Sequence, residues 1–399
     1  MNNEKAKLSI IPVGLAIFSM FFGAGNLIFV VNVGKEFQNQ TPLALAAFMV
    51  TAVILPVVGI ASILLYDGDY KAFFGRIGKT PGFLLCFFCF LIVGPFVAIP
   101  RVVTLSYTMF SPFLPGVSLP LFAVVFLLLT FMLTVTESRI IDLLGLIISP
   151  LLVVALVAIF IAGFFHPAQL VELHRAPLGI VTKNLQYGYN TLDFLSSIFF
   201  GSIVFSILQK SNAAKLGLDR PALERFGIRA SIFGMAILGL IYVGLTTLGA
   251  LFGHHAENLN EAEVLREIIF LLLGNEGAFV MCVAVLMACL STIIAQSAVS
   301  AEYFQKEIFN NRLHYRSCLV IAVVISGIVS ILGLSTLIQL SKPIIAVVHP
   351  CIIVLAIANL LYKKYNFKPV KSLVFGTLAI SVWAHQHELL VFWQELQKI

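Results

Sequence analysis

The chain has 399 residues, of which 60% are hydrophobic and 11% charged, and its mean hydropathy is +1.02. A soluble domain holds about 45–50% apolar and about 25% charged residues, so the excess must face lipid. At about 20 residues per helical span, a chain of this length holds about ten to twelve spans and no sizeable soluble domain. The formal charge of +6 is spread between apolar segments and forms no patch with interleaved aromatics, which argues against nucleic-acid binding.

Apolar segments fall at 9–33, 42–65, 82–110, 119–136, 143–165, 187–209, 228–253, 277–301, 317–333, 335–361 and 370–384. The expected fold is therefore an all-α membrane protein of about 11 transmembrane helices. The first segment is too long for a signal-peptide core and lacks an A-x-A-like exit, so it is expected to stay in the mature protein. The tail from His385 to Ile399 is too short and mixed to cross on its own.

At the centre of the first segment stands FFGAGNLIF, Phe21 to Phe29. Two glycines and an asparagine are poor choices for a continuous helix in hydrocarbon, where backbone polar groups must be satisfied internally. Unwinding at Gly23, Ala24 and Gly25 would leave free N–H groups at the start of the next half-helix, whose positive end suits a carboxylate. The carbonyls ending the preceding half-helix, near Ser19 and Phe22, would suit a cation. A close helix contact through small residues is the competing reading, and it does not account for Asn26.

In the third segment Cys86 and Cys89 form a CxxC with no second pair or nearby histidine, so lipid-facing or packed thiols are favoured over a metal site. The other cysteines, at 282, 289, 318 and 351, also lie in or beside apolar segments. Arg101 follows Pro100 and either satisfies freed carbonyls or pairs with an acid in the bundle.

The sixth segment opens YGYNTLDFLSSIFFGSIVF, with Asn190, Thr191, Asp193, Ser196 and Ser197 among phenylalanines. An aspartate inside a span is costly, so Asp193 is a functional candidate; alternatively the span starts later and Asp193 caps its outer end. The loops 166–186 and 254–276 are the long outward connections, and the second carries VLREIIFLLLG, too short to span. That run reads as an interfacial or re-entrant helix, a lid, or a surface helix on the bundle.

In the eighth segment Ser291 and Thr292 are adjacent hydroxyls one turn beyond Ala288. One carbonyl and two hydroxyls on one face suit a small alkali cation, although such hydroxyls often bond their own helix. In the tenth, SKPIIAVVHP holds Lys342, Pro343, His349 and Pro350, so a kinked, gating helix is expected. Lys342 either stands in for a cation or snorkels outward, and His349 is either packed or a proton relay.

One broken segment opens the first five spans and the other opens the next five. This predicts a five-plus-five inverted repeat with broken helices 1 and 6, and a site at midplane between the breaks. The repeats would cover 1–165 and 166–365, with a C-terminal span and tail at 366–399. A cytoplasmic N-terminus puts 18 of the 25 lysines and arginines on the inner side, Lys5, Lys7, Arg139, Lys210 and Lys215 among them.

Five stretches together, FFGAGNLIF, GPFVAIPRVVTLSY, YNTLDFLSSIFFGSIV, CLSTIIAQSAVSAEYF and LSKPIIAVVHP, resemble the bacterial branched-chain amino acid:cation symporters. The resemblance runs over about residues 8 to 365. It implies a leucine-transporter-like fold in the bacterial cytoplasmic membrane and uptake of leucine, isoleucine and valine with sodium or a proton. It further implies that Gly23, Ala24, Gly25, Asn26, Phe194, Ser197 and Phe200 bind substrate, and Asp193, a candidate from its own position in the span, is expected to join them. Ser19, Phe22, Ala288, Ser291 and Thr292 would form the cation site, while Arg101 and Lys342 would gate or couple. The chain departs from the family at Thr108, where a glutamate is usual, and in its shortened C-terminal region. No cofactor beyond the coupling ion is expected, the partners are the substrate and the bilayer, and no protein partner is indicated. The rival readings are a carrier for another neutral amino acid, a transporter-derived sensor or a channel; no HExxH or GxSxG points to an enzyme.

Overall fold

The computed structural model describes residues 9–135, 149–167, 170–209, 220–256, 259–261 and 263–396. The start of the fifth apolar segment and the charges Lys5, Lys7, Arg139, Lys210 and Lys215 lie outside the described residues. The described residues are helical and contain no strand, as expected where hydrocarbon supplies no partner for an open backbone group.

The first span is two half-helices, α1 (Ile10–Phe21) and α2 (Ala24–Phe37). Between them Phe22 turns to ψ 88° and Gly23 is extended at φ −133°, ψ −159°. The second span runs through α3 (Thr41–Met49), a π-helical turn and α4 (Leu55–Leu64). After a short α5 (Tyr70–Phe74), the third span is also interrupted: α6 (Lys79–Val93) and α7 (Ala98–Phe110) flank the turn Gly94–Val97. Sequence reading treats 82–110 as one segment, yet Gly94-Pro95 is a turn signal in its own right. A Cβ on Gly94 would lie 2.6 Å from Ser300 Oγ, so this turn presses against the eighth span.

α8 (Leu119–Thr134) and α9 (Ser149–Phe164) follow. The sixth span starts earlier than expected, at α10 (Pro177–Asn190), and resumes as α11 (Asp193–Leu208) after a break in which Leu192 adopts φ +68°. Its N-terminal half reads as loop in sequence because only Ile180, Asn184 and Gly188 are buried, a narrow stripe in a polar stretch. A leucine in the left-handed region is strained, and such strain persists only where tertiary contacts impose it.

α12 (Arg220–Phe252) runs along both halves of the first span. The close approach uses small residues: a Cβ on Gly34 would sit 2.6 Å from the Ala250 nitrogen, and one on Gly234 3.1 Å from the Phe18 nitrogen. The run VLREIIFLLLG belongs to α13 (Glu263–Tyr303), bent at Gly274 with φ 63°. Val264, Leu265, Ile268, Ile269 and Leu272 are buried, so it packs on the bundle as a surface helix. The remaining spans are α14 (Tyr315–Ser330), α15 (Leu334–Tyr365) with Pro343 and Pro350 inside it, and α16 (Val370–Ala384), followed by α17 (Gln386–Leu396).

Exposed apolar side chains such as Val124, Val125, Met132, Val154, Ile161 and Ile328 cover the outer helices. In the centre the pattern reverses, with Ser19, Asn26, Arg101, Asp193, Ser291 and Gln296 all buried. That inversion is the signature of a multi-pass membrane protein with a polar interior. All six cysteines are buried and unbridged, so the thiols are packed.

Candidate functional site

The two breaks touch. A Cβ on Gly25 would come within 2.8 Å of the Thr191 carbonyl oxygen and 2.9 Å of its Cα, so only glycine lets the backbone of α2 reach the end of α10. On the other side a Cβ on Gly23 would lie 2.7 Å from Thr292 Oγ1 of α13. The glycines of FFGAGNLIF are thus fitted to two different helices, and neither neighbour is visible in local sequence.

Around this junction lies a void lined by Met20, Phe21, Gly23 to Gly25, Ala98, Arg101, Val102, Thr191 to Asp193, Ser196, Phe200, Thr292 and Gln296. Its volume of about 20 Å³ has room for about one water, so the walls are closed on one another. Phe21 and Phe200 meet edge to face at 5.2 Å on its α1 side. Arg101 closes another side: its guanidinium donates to the Asn190 carbonyl at 3.0 Å and to Ser341 Oγ of α15. Carbonyls at a helix C-terminus carry partial negative charge, and a cation there is favourable.

Asp193 is 4% exposed and accepts from Asn26 Nδ2 at 3.3 Å and from the Tyr242 hydroxyl at 3.1 Å. Asn26 also donates to the Phe21 carbonyl, bridging the end of α1 to the start of α11. The asparagine that weakens the first span as a simple helix therefore ties one break to the other. As the first residue of α11, Asp193 also stands at a helix N-terminus, where negative charge is favoured.

A second cluster lies where α1 meets α13. Ser291 Oγ is 2.8 Å from the Ser19 carbonyl and 2.7 Å from the Ala288 carbonyl, and Thr292 Oγ1 is 3.4 Å from the same Ser19 oxygen. Four oxygens share two hydroxyl protons. Ser19 Oγ, buried beside them, has no partner among the described residues. Phe22, three residues beyond Ser19, is the C-cap of α1. Hard, oxygen-rich surroundings of this kind suit an alkali cation.

Not every expected residue faces the junction. Ser197 Oγ donates to the Phe194 carbonyl at 2.6 Å, and both residues pack against Gly59 of α4, where a Cβ would lie 3.3 Å from the Phe194 ring. Phe194 also reaches His349, with ring centroids 6.2 Å apart. Lys342 does not line the void: it pairs at 3.6 Å with Glu261, whose backbone carbonyl accepts from Asn32 of α2 at 2.8 Å. Thr108 lies in this same region, where its carbonyl accepts from Arg266 at 2.9 Å. His349 is fully buried and stacks on Tyr189 at 5.4 Å, a packed ring.

Thr191, Ser196 and Gln296 line the void, and Tyr242 and Ser341 hold its charged groups, five residues outside the set expected from sequence. Gln296 had a local signal, since it sits one turn beyond Thr292 on an apolar helix. Tyr242 had none, because its partner Asp193 is on another helix.

The family model described as branched-chain amino acid transport protein matches residues 6–398. A branched-chain amino acid transport system 3 carrier protein of Pseudomonas aeruginosa is 32% identical over 368 residues, covering 90% of this chain and 82% of the relative. A branched-chain amino acid permease of Bacillus subtilis is 31% identical, with 89% and 80% covered. In fold, the chain is similar to a sodium-coupled sialic acid symporter in an outward-open state, with TM-score 0.62, 13% identity, and 94% of this chain and 89% of that one covered.

Proposed function

This chain belongs to the branched-chain amino acid transport proteins, and from that premise we propose that it imports leucine, isoleucine and valine with a cation, sodium or a proton, by alternating access. The observation that carries the reading is the contact of two helix breaks, Gly25 on Thr191, around a closed void with buried groups of both charges. An unwound pair of helices at midplane offers opposite dipole ends to one zwitterion, as discontinuous helices do in secondary transporters.

The first turn of α2, at Gly23, Ala24, Gly25 and Asn26, binds the substrate head, together with Asp193. Phe200 and Phe21 enclose the aliphatic side chain, which suits an apolar pocket. Phe194 and Ser197 support α11 from behind, against Gly59. The cation sits among Ser19, Phe22, Ala288, Ser291 and Thr292, and its binding steadies α1 against α13. Arg101 and Lys342 hold the side of α10 and α15 shut. Residues 1–165 and 166–365 form the two inverted repeats, and 366–399 lie outside them. The protein resides in the bacterial cytoplasmic membrane with its N-terminus inside, supported by the lysine and arginine bias.

The test is uptake of labelled leucine into proteoliposomes under an imposed sodium gradient and, separately, a pH gradient. Accumulation under either gradient supports the reading. No gradient-dependent uptake of any neutral amino acid would defeat it.

A further inference from the structure

Arg101 and Asp193, 3% and 4% exposed, line one void but spend their bonds elsewhere: Arg101 on Asn190 and Ser341, Asp193 on Asn26 and Tyr242. Two further atoms are unsatisfied among the described residues, Arg101 Nε and Gln296 Oε1, and both residues line the same void. Gln296 is itself 5% exposed. A buried N–H without an acceptor and a buried carbonyl without a donor are each costly, and they call for ligand groups of opposite kind.

We propose that Arg101 is the direct ligand of the substrate carboxylate, and that Gln296 Oε1 with the Asp193 carboxylate forms the ammonium pole. This rests on the amino-acid carrier reading and specifies how that site tells a zwitterion from other small solutes. The planar guanidinium grips a carboxylate through paired N–H donors, which a lysine does not match. The first-turn N–H groups of α2 supply further donors to the same carboxylate.

The exchange has a mechanical consequence. Arg101 caps the C-terminal carbonyl of α10 and holds Ser341 of α15. When it turns to the substrate, Ser341 is released from α15's contact with α7. That helix contains Pro343 and Pro350, so it is already built to bend. Substrate recognition and release of the α15 side thus draw on one side chain.

The test compares equilibrium binding of L-leucine and L-leucinamide, which keeps the ammonium but replaces the carboxylate by a neutral amide, to purified wild type, Arg101→Gln, Arg101→Lys and Gln296→Leu. Wild type is expected to prefer leucine. Arg101→Gln should weaken leucine about tenfold or more, the value of a charge-assisted hydrogen bond, and leave leucinamide unchanged, while Arg101→Lys falls between. Gln296→Leu should weaken both ligands alike. An Arg101→Gln protein that keeps the wild-type preference for leucine overturns the proposal while the carrier reading stands. Wild type that binds leucinamide as tightly as leucine overturns it without recourse to any variant. Wild type that binds no branched-chain amino acid at all overturns the carrier reading as well.

Discussion

Replacing Ser291 and Thr292 together by alanine separates the cation site from the substrate site. The double variant removes the hydroxyl contacts to the Ser19 carbonyl at 2.8 and 3.4 Å and to Ala288 at 2.7 Å. It leaves the void's charged groups in place. Alanine is the best helix former, so α13 itself should hold. Each hydroxyl interaction is worth about 0.5–1.5 kcal/mol net, so the pair amounts to about 1–3 kcal/mol. Expressed as coupling, that is about 5- to 150-fold in half-saturating cation concentration. The assay is leucine uptake into proteoliposomes against sodium at fixed pH, repeated against pH without sodium, with the leucine-to-valine ratio as internal control. The half-saturating concentration of the coupling ion should rise within that range while the ratio stays put. An unchanged ion dependence in a folded, active double variant would refute the assignment, and so would an equal change in the ratio.

Three further outcomes are expected. Gly25→Ala places a Cβ 2.8–2.9 Å from Thr191 backbone atoms, an overpacking of about 1–3 kcal/mol that must separate the breaks; uptake should be lost while membrane levels and gel-filtration profile stay normal, and wild-type uptake would dissolve the claim that the breaks must touch. Asp193→Asn should lower leucine affinity about tenfold under sodium and pH gradients alike, because it removes one pole of the site; a loss confined to the pH gradient would reassign Asp193 to proton coupling. Lys342 and Glu261 side chains are 41% and 36% exposed, so their pair is worth at most about 1 kcal/mol. Lys342→Gln should modestly increase labelling of a cysteine placed at Gln339, which lines the same cleft as Lys342 and Glu261; the charge-swapped double variant should reverse this, and high salt should erase the difference. Labelling that is indifferent to both would remove the pair from gating.

The chain by itself determined its class and the places where its helices fail. Hydropathy reports lipid directly, and glycine with asparagine at midspan reports an unsatisfied backbone, so the break at Gly23 and the one before Asp193 were legible from local residues. So were the paired hydroxyls Ser291 and Thr292, one turn beyond Ala288. The tertiary structure decided which residues meet. It turned Ser197 and Phe194 toward Gly59, set Lys342 against Glu261, brought Tyr242 to Asp193, and spent Arg101 on Asn190 and Ser341. It also showed that the sixth span begins at Pro177 and that the third is interrupted at Gly94. The physical reason is the solvent. A helix in water marks its inner face by an apolar stripe, but in a bilayer both the lipid-facing and the packed sides are apolar, so spacing along the chain fixes where a residue sits on its helix and not which neighbour it faces.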